Sequence, residues 1–209
     1  MSRLESLTGR LNLPFQQYEN PPDSPKEIIN QWITRARAGD VREPDAYTLA
    51  TCNAASEITM RTMFPISING EVMLFATHRC SRKGIDIKES GAASAHIYWR
   101  ELGRQLSVSG MMTLADESIA ESAWNARDAA YDPVSVVSHQ SETLHDFSSF
   151  SREIKKYENK GKQPKPQRFV VYALKINRCE FWSATQDRIH KRLAYTLTEK
   201  GWYCERLQP

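Results

Sequence analysis

With 209 residues, 40% of them hydrophobic and 25% charged, the chain suits one globular domain with its own core, and wholesale disorder is excluded. The 28 Lys and Arg are interspersed with 25 Asp and Glu for a net charge of +3, which gives no mandate for a nucleic-acid partner. Cysteines 52, 80, 179 and 204 stand apart without a C-x-x-C pair or a histidine at ligand spacing, so no metal site is expected and a reducing cytosol suits them.

The first residues lack the apolar core of a signal peptide, and no run approaches about 18 apolar residues, so a cytoplasmic protein without a membrane span is expected. Residues 1–22 are polar, end in "ENPPD", and are expected to form an extended arm ahead of one domain over 23–209. Ser24 as a cap, Pro25 at the first helical position and Ile28, Ile29, Trp32 and Ile33 at helical spacing predict a helix over about 25–38. Strands follow in "AYTLATCN", "ITMRTMFPIS" and "EVMLFAT", and Asn69-Gly70 marks a hairpin whose two turn positions call for positive φ. Pro65 argues for a strand end or an edge. "SRKGIDIKES" reads as a short helix capped by Ser81, and "ASAHIYWRE" and "RQLSVSGMMTL" read as strands around Leu102-Gly103.

Residues 116–160 are mostly helical in pattern, with Asp116 capping one helix and Ser141 another. "KGKQPKPQ" at 160–167 reads as an exposed, solvated linker. Strands are expected in "RFVVYALKI", "RCEFWSA", "RIHKRLAYTL" and "GWYCERL". In the third of these, a period of two puts Arg188, His190 and Arg192 on one face, and Ile189 and Leu193 on the other. Roughly eight strands in consecutive hairpins, with helices inserted as blocks, predict an α+β domain, mainly antiparallel β, closed as a barrel.

Three polar clusters exceed what a core needs: Arg61 with "TMFPI", Thr77 with Ser81, Arg82 and Lys83, and the stretch 179–195; Gln105 and "HQS" (139–141) add to them. Arg82 and Lys83 stand in the first turn of a helix, where the dipole disfavours cations. Either that face is simply solvated, or an anion such as phosphate sits there.

"RTMFPI", "FATHRCSRK", "RQLSVSG", "SHQSE", "EFWSATQDRIHKRL" and the closing "RLQP" stand in this order over about residues 25–209. Together they resemble the flavin-dependent pyridoxine 5′-phosphate oxidase family, which carries R-x-V-x-x-K, F-Y-T-x-x-x-S-R-K, R-Q-V-x-x-x-G, K-Q-S and E-F-W followed by R-L-H-x-R. The resemblance implies an FMN-binding split β-barrel with peripheral helices, acting as a homodimer with FMN at the subunit interface. It implies that Arg61, Arg82 and Lys83 hold the FMN phosphate. Thr62, Met63, Phe64 and Ile66 would run along the flavin, with Ala76, Thr77, Gln105, Gln140 and Ser141 as further contacts. Trp182 and Arg192 would border the ring from the second subunit, and Arg188 and His190 would act on the substrate as its catalytic residues.

The departures concern the substrate. Where the family has a phosphate-binding Lys, this chain has Ile66; where it has Tyr, Arg and Ser at four-residue steps on one helix face, this chain has Ala123, Arg127 and Tyr131. Each lost charge-assisted contact is worth roughly 1.5–3 kcal/mol to a dianion, whereas the surviving Arg127 suits one carboxylate. The resemblance therefore leads to the branch of the family that serves phenazine biosynthesis. It implies an oxidase that takes electrons from reduced, carboxylated phenazine precursors, small aromatic carboxylates, and passes them to O2. Pyridoxine/pyridoxamine 5′-phosphate oxidase itself and a non-enzymatic flavin-binding barrel are the alternatives.

Overall fold

The computed structural model describes residues 13–39 and 41–209, so most of the expected N-terminal arm lies outside the described residues. Its described part is not extended throughout: α1 (Gln16–Glu19) is one helical turn, and Phe15 before it is buried against Trp32, 5.0 Å between ring centroids. The next helix, α2 (Lys26–Ala38), turns Ile28, Ile29, Trp32, Ile33 and Ala36 inward, and the Lys26 N–H donates to Ser24 Oγ at its start. Each of the three isoleucines, once fully buried, contributes about 1.5–3 kcal/mol, which fixes this helix against the sheet.

The strands are β1 (Tyr47–Cys52), β2 (Ile58–Met63), β3 (Ser67–Ile68) and β4 (Val72–His78), followed after α3 (Arg82–Glu89) by β5 (Ala92–Trp99) and β6 (Arg104–Leu114). A helical block, α4 (Glu117–Ala126), α5 (Asp132–Val137) and α6 (Phe147–Lys155), precedes β7 (Phe169–Ser183), β8 (Lys191–Thr198) and β9 (Gly201–Leu207). All pairings are antiparallel, in the order β2-β1-β5-β6-β7-β4-β3, with β8 paired to β7 and β9 to β8. One edge of β7 is thus shared: Phe169–Lys175 pair with β4 and Arg178–Ser183 with β8. The barrel is split at that point. Helix α3 ties β2 to β4: Asp86 accepts a hydrogen bond from Thr59 of β2, and Lys83 donates to Thr77 of β4.

Several local expectations change. Two strands were expected between 168 and 185, and one fifteen-residue strand is found. Only Gly70 of the Asn69-Gly70 pair has positive φ (83°), because the Asn69 side chain closes the turn by accepting from the Glu71 and Val72 N–H groups. The 160–167 stretch is not a free linker: Lys162 reaches buried Asp132, Lys165 pairs with Glu117, and the Gln163 carbonyl accepts from the Trp124 indole. Ser141 does not cap α6, whose N-cap is Asp146, accepting from the Ser148 and Ser149 N–H groups. No helix among the described residues is long and apolar enough to cross a membrane.

Candidate active site

The first group forms where β2, the end of β4, α3 and the 139–141 segment converge. Ser81 starts α3 by accepting from the Gly84 N–H, and Ser141, held at a φ of 76°, accepts from the Arg82 N–H at 3.1 Å. Lys83 Nζ donates to Thr77 Oγ1 (3.1 Å), Gln140 Oε1 (3.3 Å) and Ser81 Oγ (3.3 Å). Arg61 donates from Nη1 to the Leu49 carbonyl (3.2 Å) and Thr51 (2.7 Å), and from Nη2 to Thr59. Arg82 pairs with Asp86 and with Glu57, at 2.9 and 3.0 Å. Five residues expected from the sequence, Arg61, Thr77, Arg82, Lys83 and Gln140, therefore share one cluster, and Ser141 joins it through the backbone.

Electrostatically this cluster is short of negative charge. Burial, then the neighbouring Arg61, pushes the Lys83 ammonium down to about 8, and burial lowers Arg61 despite Asp86. Among the described contacts Lys83 meets only neutral oxygens. A phosphate monoester supplies the charge and acceptor oxygens that such a donor set requires, so these residues fit the phosphate of FMN. His78, the next residue after Thr77, is 1% exposed, and burial and then Arg168 push it down to about 4, so it is neutral.

Thr62, Phe64 and Ile66 are exposed along the β2–β3 segment, whereas Met63 turns toward the core and Ala76 is half-buried in β4. The second group lies elsewhere. Gln105 on β6 pairs with Trp182 on β7, which pairs with Arg192 on β8. Arg192 donates to Glu180 at 2.8 Å, and the Trp182 ring meets that of His190 at 4.7 Å. Thr77 pairs with Val170, near the start of β7, and Trp182 stands near its end. At about 3.3 Å per residue the strand is roughly 45 Å long. Among the described residues no hydrogen bond or ring contact joins the two groups within one chain.

The strand face expected for Arg188, His190 and Arg192 is absent, because β8 begins only at Lys191. Residues 184–190 form a turn in which Arg188 takes a φ of 64° and Asp187 accepts from the Ile189 N–H. Ile189 is accordingly exposed, while Leu193 is buried as expected. His190 Nδ1 accepts from the Thr185 N–H at 3.2 Å, which leaves the ring proton on Nε2. Burial and Arg188 lower its pKa against Asp187, so the ring is neutral near pH 7.

The remaining trio also departs from expectation. Helix α4 ends at Ala126, so Ala123 lies on it, Arg127 is its C-cap, and Tyr131 belongs to a separate 3-10 turn. Four-residue steps therefore do not place them on one helix face. The Arg127 guanidinium stacks on Trp124 at 4.9 Å, donates to the Tyr131 carbonyl and approaches Asp132 at 3.8 Å. Tyr131 is 64% exposed. Sequence reasoning missed Asp86 and Tyr98; the latter's ring meets Trp182 edge-on at 6.5 Å. An alternating strand pattern could have put Tyr98 on the face opposite to Trp99.

An antiparallel split barrel with a cluster of cationic donors at one end of its longest strand and an aromatic wall at the other defines a recognisable class of protein. The profile described as pyridoxamine 5′-phosphate oxidase matches residues 33–183, and that described as the pyridoxine 5′-phosphate oxidase C-terminal dimerisation region matches 169–209. The chain belongs to this family. It is 37% identical to the dihydrophenazinedicarboxylate synthase of Burkholderia lata over 209 residues, covering 100% of this chain and 99% of that one. To the Pseudomonas chlororaphis enzyme of the same name it is 36% identical over 206 residues, covering 98% and 93%. The crystal structure of PhzG from Burkholderia lata 383, in complex with tetrahydrophenazine-1-carboxylic acid, superposes with a TM-score of 0.93 at 35% identity, covering 96% of this chain and 100% of that one.

Proposed function

We propose that this chain is an FMN-dependent oxidase of phenazine biosynthesis, acting on reduced (dihydro or tetrahydro) phenazine carboxylic acids. One contrast carries the proposal: an anion cradle is assembled around Lys83, whereas a second one, needed for a phosphorylated substrate, is dismantled. Ile66 is apolar and 47% exposed, Ala123 has no polar group, and Arg127 is engaged by Trp124, Tyr131 and Asp132. Relatives that bear a phenazine-biosynthetic name match the chain over nearly its whole length, which supports the same choice.

Bound FMN would accept two electrons from the substrate and pass them to O2, giving H2O2. Arg61, Arg82 and Lys83 would hold its phosphate with Thr77, Gln140 and Ser141, and Thr62, Met63, Phe64, Ile66 and Ala76 would border its length. Gln105, Trp182 and Arg192 would complete the cleft from a second copy, because one chain keeps them apart from the cradle. Arg188 would clamp the substrate carboxylate from its exposed turn. Ile66, Ala123, Arg127 and Tyr131 would line the rest of the substrate pocket. With Nδ1 occupied by the Thr185 amide, His190 orients substrate by donating from Nε2 and takes no proton at Nδ1. Formation of an aromatic ring already favours the oxidation, so little acid–base assistance is required.

The test is oxygen uptake by the FMN-reconstituted protein with a reduced phenazine carboxylate and, separately, with pyridoxamine 5′-phosphate. Turnover with the phenazine at least about a hundredfold faster is expected, from the three charge-assisted contacts to the phosphate lost at Ile66, Ala123 and Tyr131. Comparable rates would overturn the substrate assignment, and a protein that takes up no flavin would overturn the cofactor as well.

A further inference from the structure

Beneath Arg61 and Arg82 lies a carboxylate to which the proposed function gives no part. Asp86, on α3, is fully buried. Its Oδ2 accepts from Thr51 Oγ1 at 2.7 Å and Thr59 Oγ1 at 2.8 Å, its Oδ1 accepts from Arg82 Nε at 2.9 Å, and Arg61 Nη2 stands 4.0 Å away. Burial alone would raise its pKa, but the hydrogen bonds from Thr51, Thr59 and Arg82 hold it below the usual carboxylate range. On charge alone its position is unfavourable, since an anion under an anion site repels the ligand.

Hydrogen-bond direction supplies the reason for it. A threonine hydroxyl has one proton. Thr51 and Thr59 give theirs to Asp86, so their lone pairs face Arg61, which donates to both. With the Leu49 carbonyl taking a further proton, the plane of the Arg61 guanidinium is fixed. The second carboxylate oxygen fixes Arg82 in the same way.

We propose that Asp86 is the positioning residue of the flavin-phosphate cradle, which it serves by ordering the Thr51 and Thr59 hydroxyls beneath Arg61 and by anchoring Arg82. The proposal rests on the FMN reading above. Geometry and charge predict opposite signs for Asp86→Asn. In the variant one carbonyl oxygen still serves the threonines, but an amide N–H group meets the Arg82 Nε–H, donor against donor. Loss of positioning weakens FMN binding; relief of repulsion tightens it.

The experiment titrates full-length chain, wild type and variant, with FMN and with riboflavin, which lacks the phosphate, reading flavin fluorescence. We expect Asp86→Asn to weaken FMN about tenfold and to leave riboflavin within about twofold. In an Arg82→Gln background the same change should add less than about twofold, since coupled residues are not additive. FMN bound by Asp86→Asn as tightly as by wild type, or more tightly, overturns the proposal, as does an equal loss for riboflavin. Should Asp86→Asn not fold, Thr59→Val takes its place, with an expected loss of severalfold for FMN alone; no loss overturns the proposal. Wild type that binds no FMN overturns the flavin reading and this proposal together, whereas wild type that binds FMN while the variants fail to discriminate overturns this proposal only.

Discussion

In the cradle every cation has at least two partners: Arg61 meets Leu49, Thr51 and Thr59, Lys83 meets Thr77, Ser81 and Gln140, and Arg82 meets Asp86 and Glu57. At the other end of β7, Arg188 is exposed on a left-handed residue, Ile189 beside it is exposed, and His190 has one backbone amide on its ring. The contrast indicates a division of labour. The groups proposed to hold the flavin phosphate are oriented in advance by partners within the chain. The groups proposed to meet the substrate are displayed on a turn and would gain their remaining contacts only when the site is filled.

The sharpest way to break this comparison is Lys83→Met, which should weaken FMN about a hundredfold in a fluorescence titration, since a half-buried charge-assisted donor is lost. If affinity holds, the cradle is not the phosphate site. Next comes pH. Lys83 in the free chain titrates at about 8, and the anion favours its protonated form, so binding above that pH requires proton uptake. Affinity should be flat below pH 8 and fall by up to about tenfold per unit above it. Lys83→Arg should remove the slope, because guanidinium stays charged there. Arg188→Ala acts at the opposite end: turnover should drop about tenfold while the FMN dissociation constant stays within about twofold. Release of FMN by that change would merge the two regions into one. The smallest effect concerns the turn itself. Arg188→Gly should be more stable than Arg188→Ala by about 1 kcal/mol in urea unfolding, because glycine tolerates a φ of 64° and alanine does not.

Much of the hairpin order and most of the cradle were legible in the sequence, because caps, turns and motifs are local. Ser81 caps α3 as its position predicted, and Arg61, Thr77, Arg82, Lys83 and Gln140 do converge. What failed depends on partners distant in sequence. Ser141 has the chemistry of a helix cap but gives its oxygen to the Arg82 N–H of another helix. The lysines of 160–167 look solvated until Asp132 and Glu117 come within reach. Arg188 and His190 alternate like strand residues, yet among the described residues no strand pairs with the 184–190 segment, which turns instead. Asp86 carried only the local sign of an i,i+4 pair with Arg82; its burial and its contacts with Thr51, Thr59 and Arg61 depend on distant strands.

The split reading of β7 has a different cause. Up to Ile176 the even-numbered residues Leu174 and Ile176 are buried; from Cys179 the odd-numbered Cys179 and Phe181 are. The register shifts at this point, with Ser109 opposite Arg178 and Gly110 opposite Ile176, so Asn177 is an extra residue. Gly110 makes room for it: a Cβ there would lie 1.8 Å from the Lys175 carbonyl oxygen. A strand has a reading frame of two, and Asn177 acts as a frameshift that puts Trp182 on the outer face while Phe181 enters the core. Removing that one residue would invert every side chain downstream, exchanging the aromatic wall for core residues, while the cradle at the upstream end kept its sense.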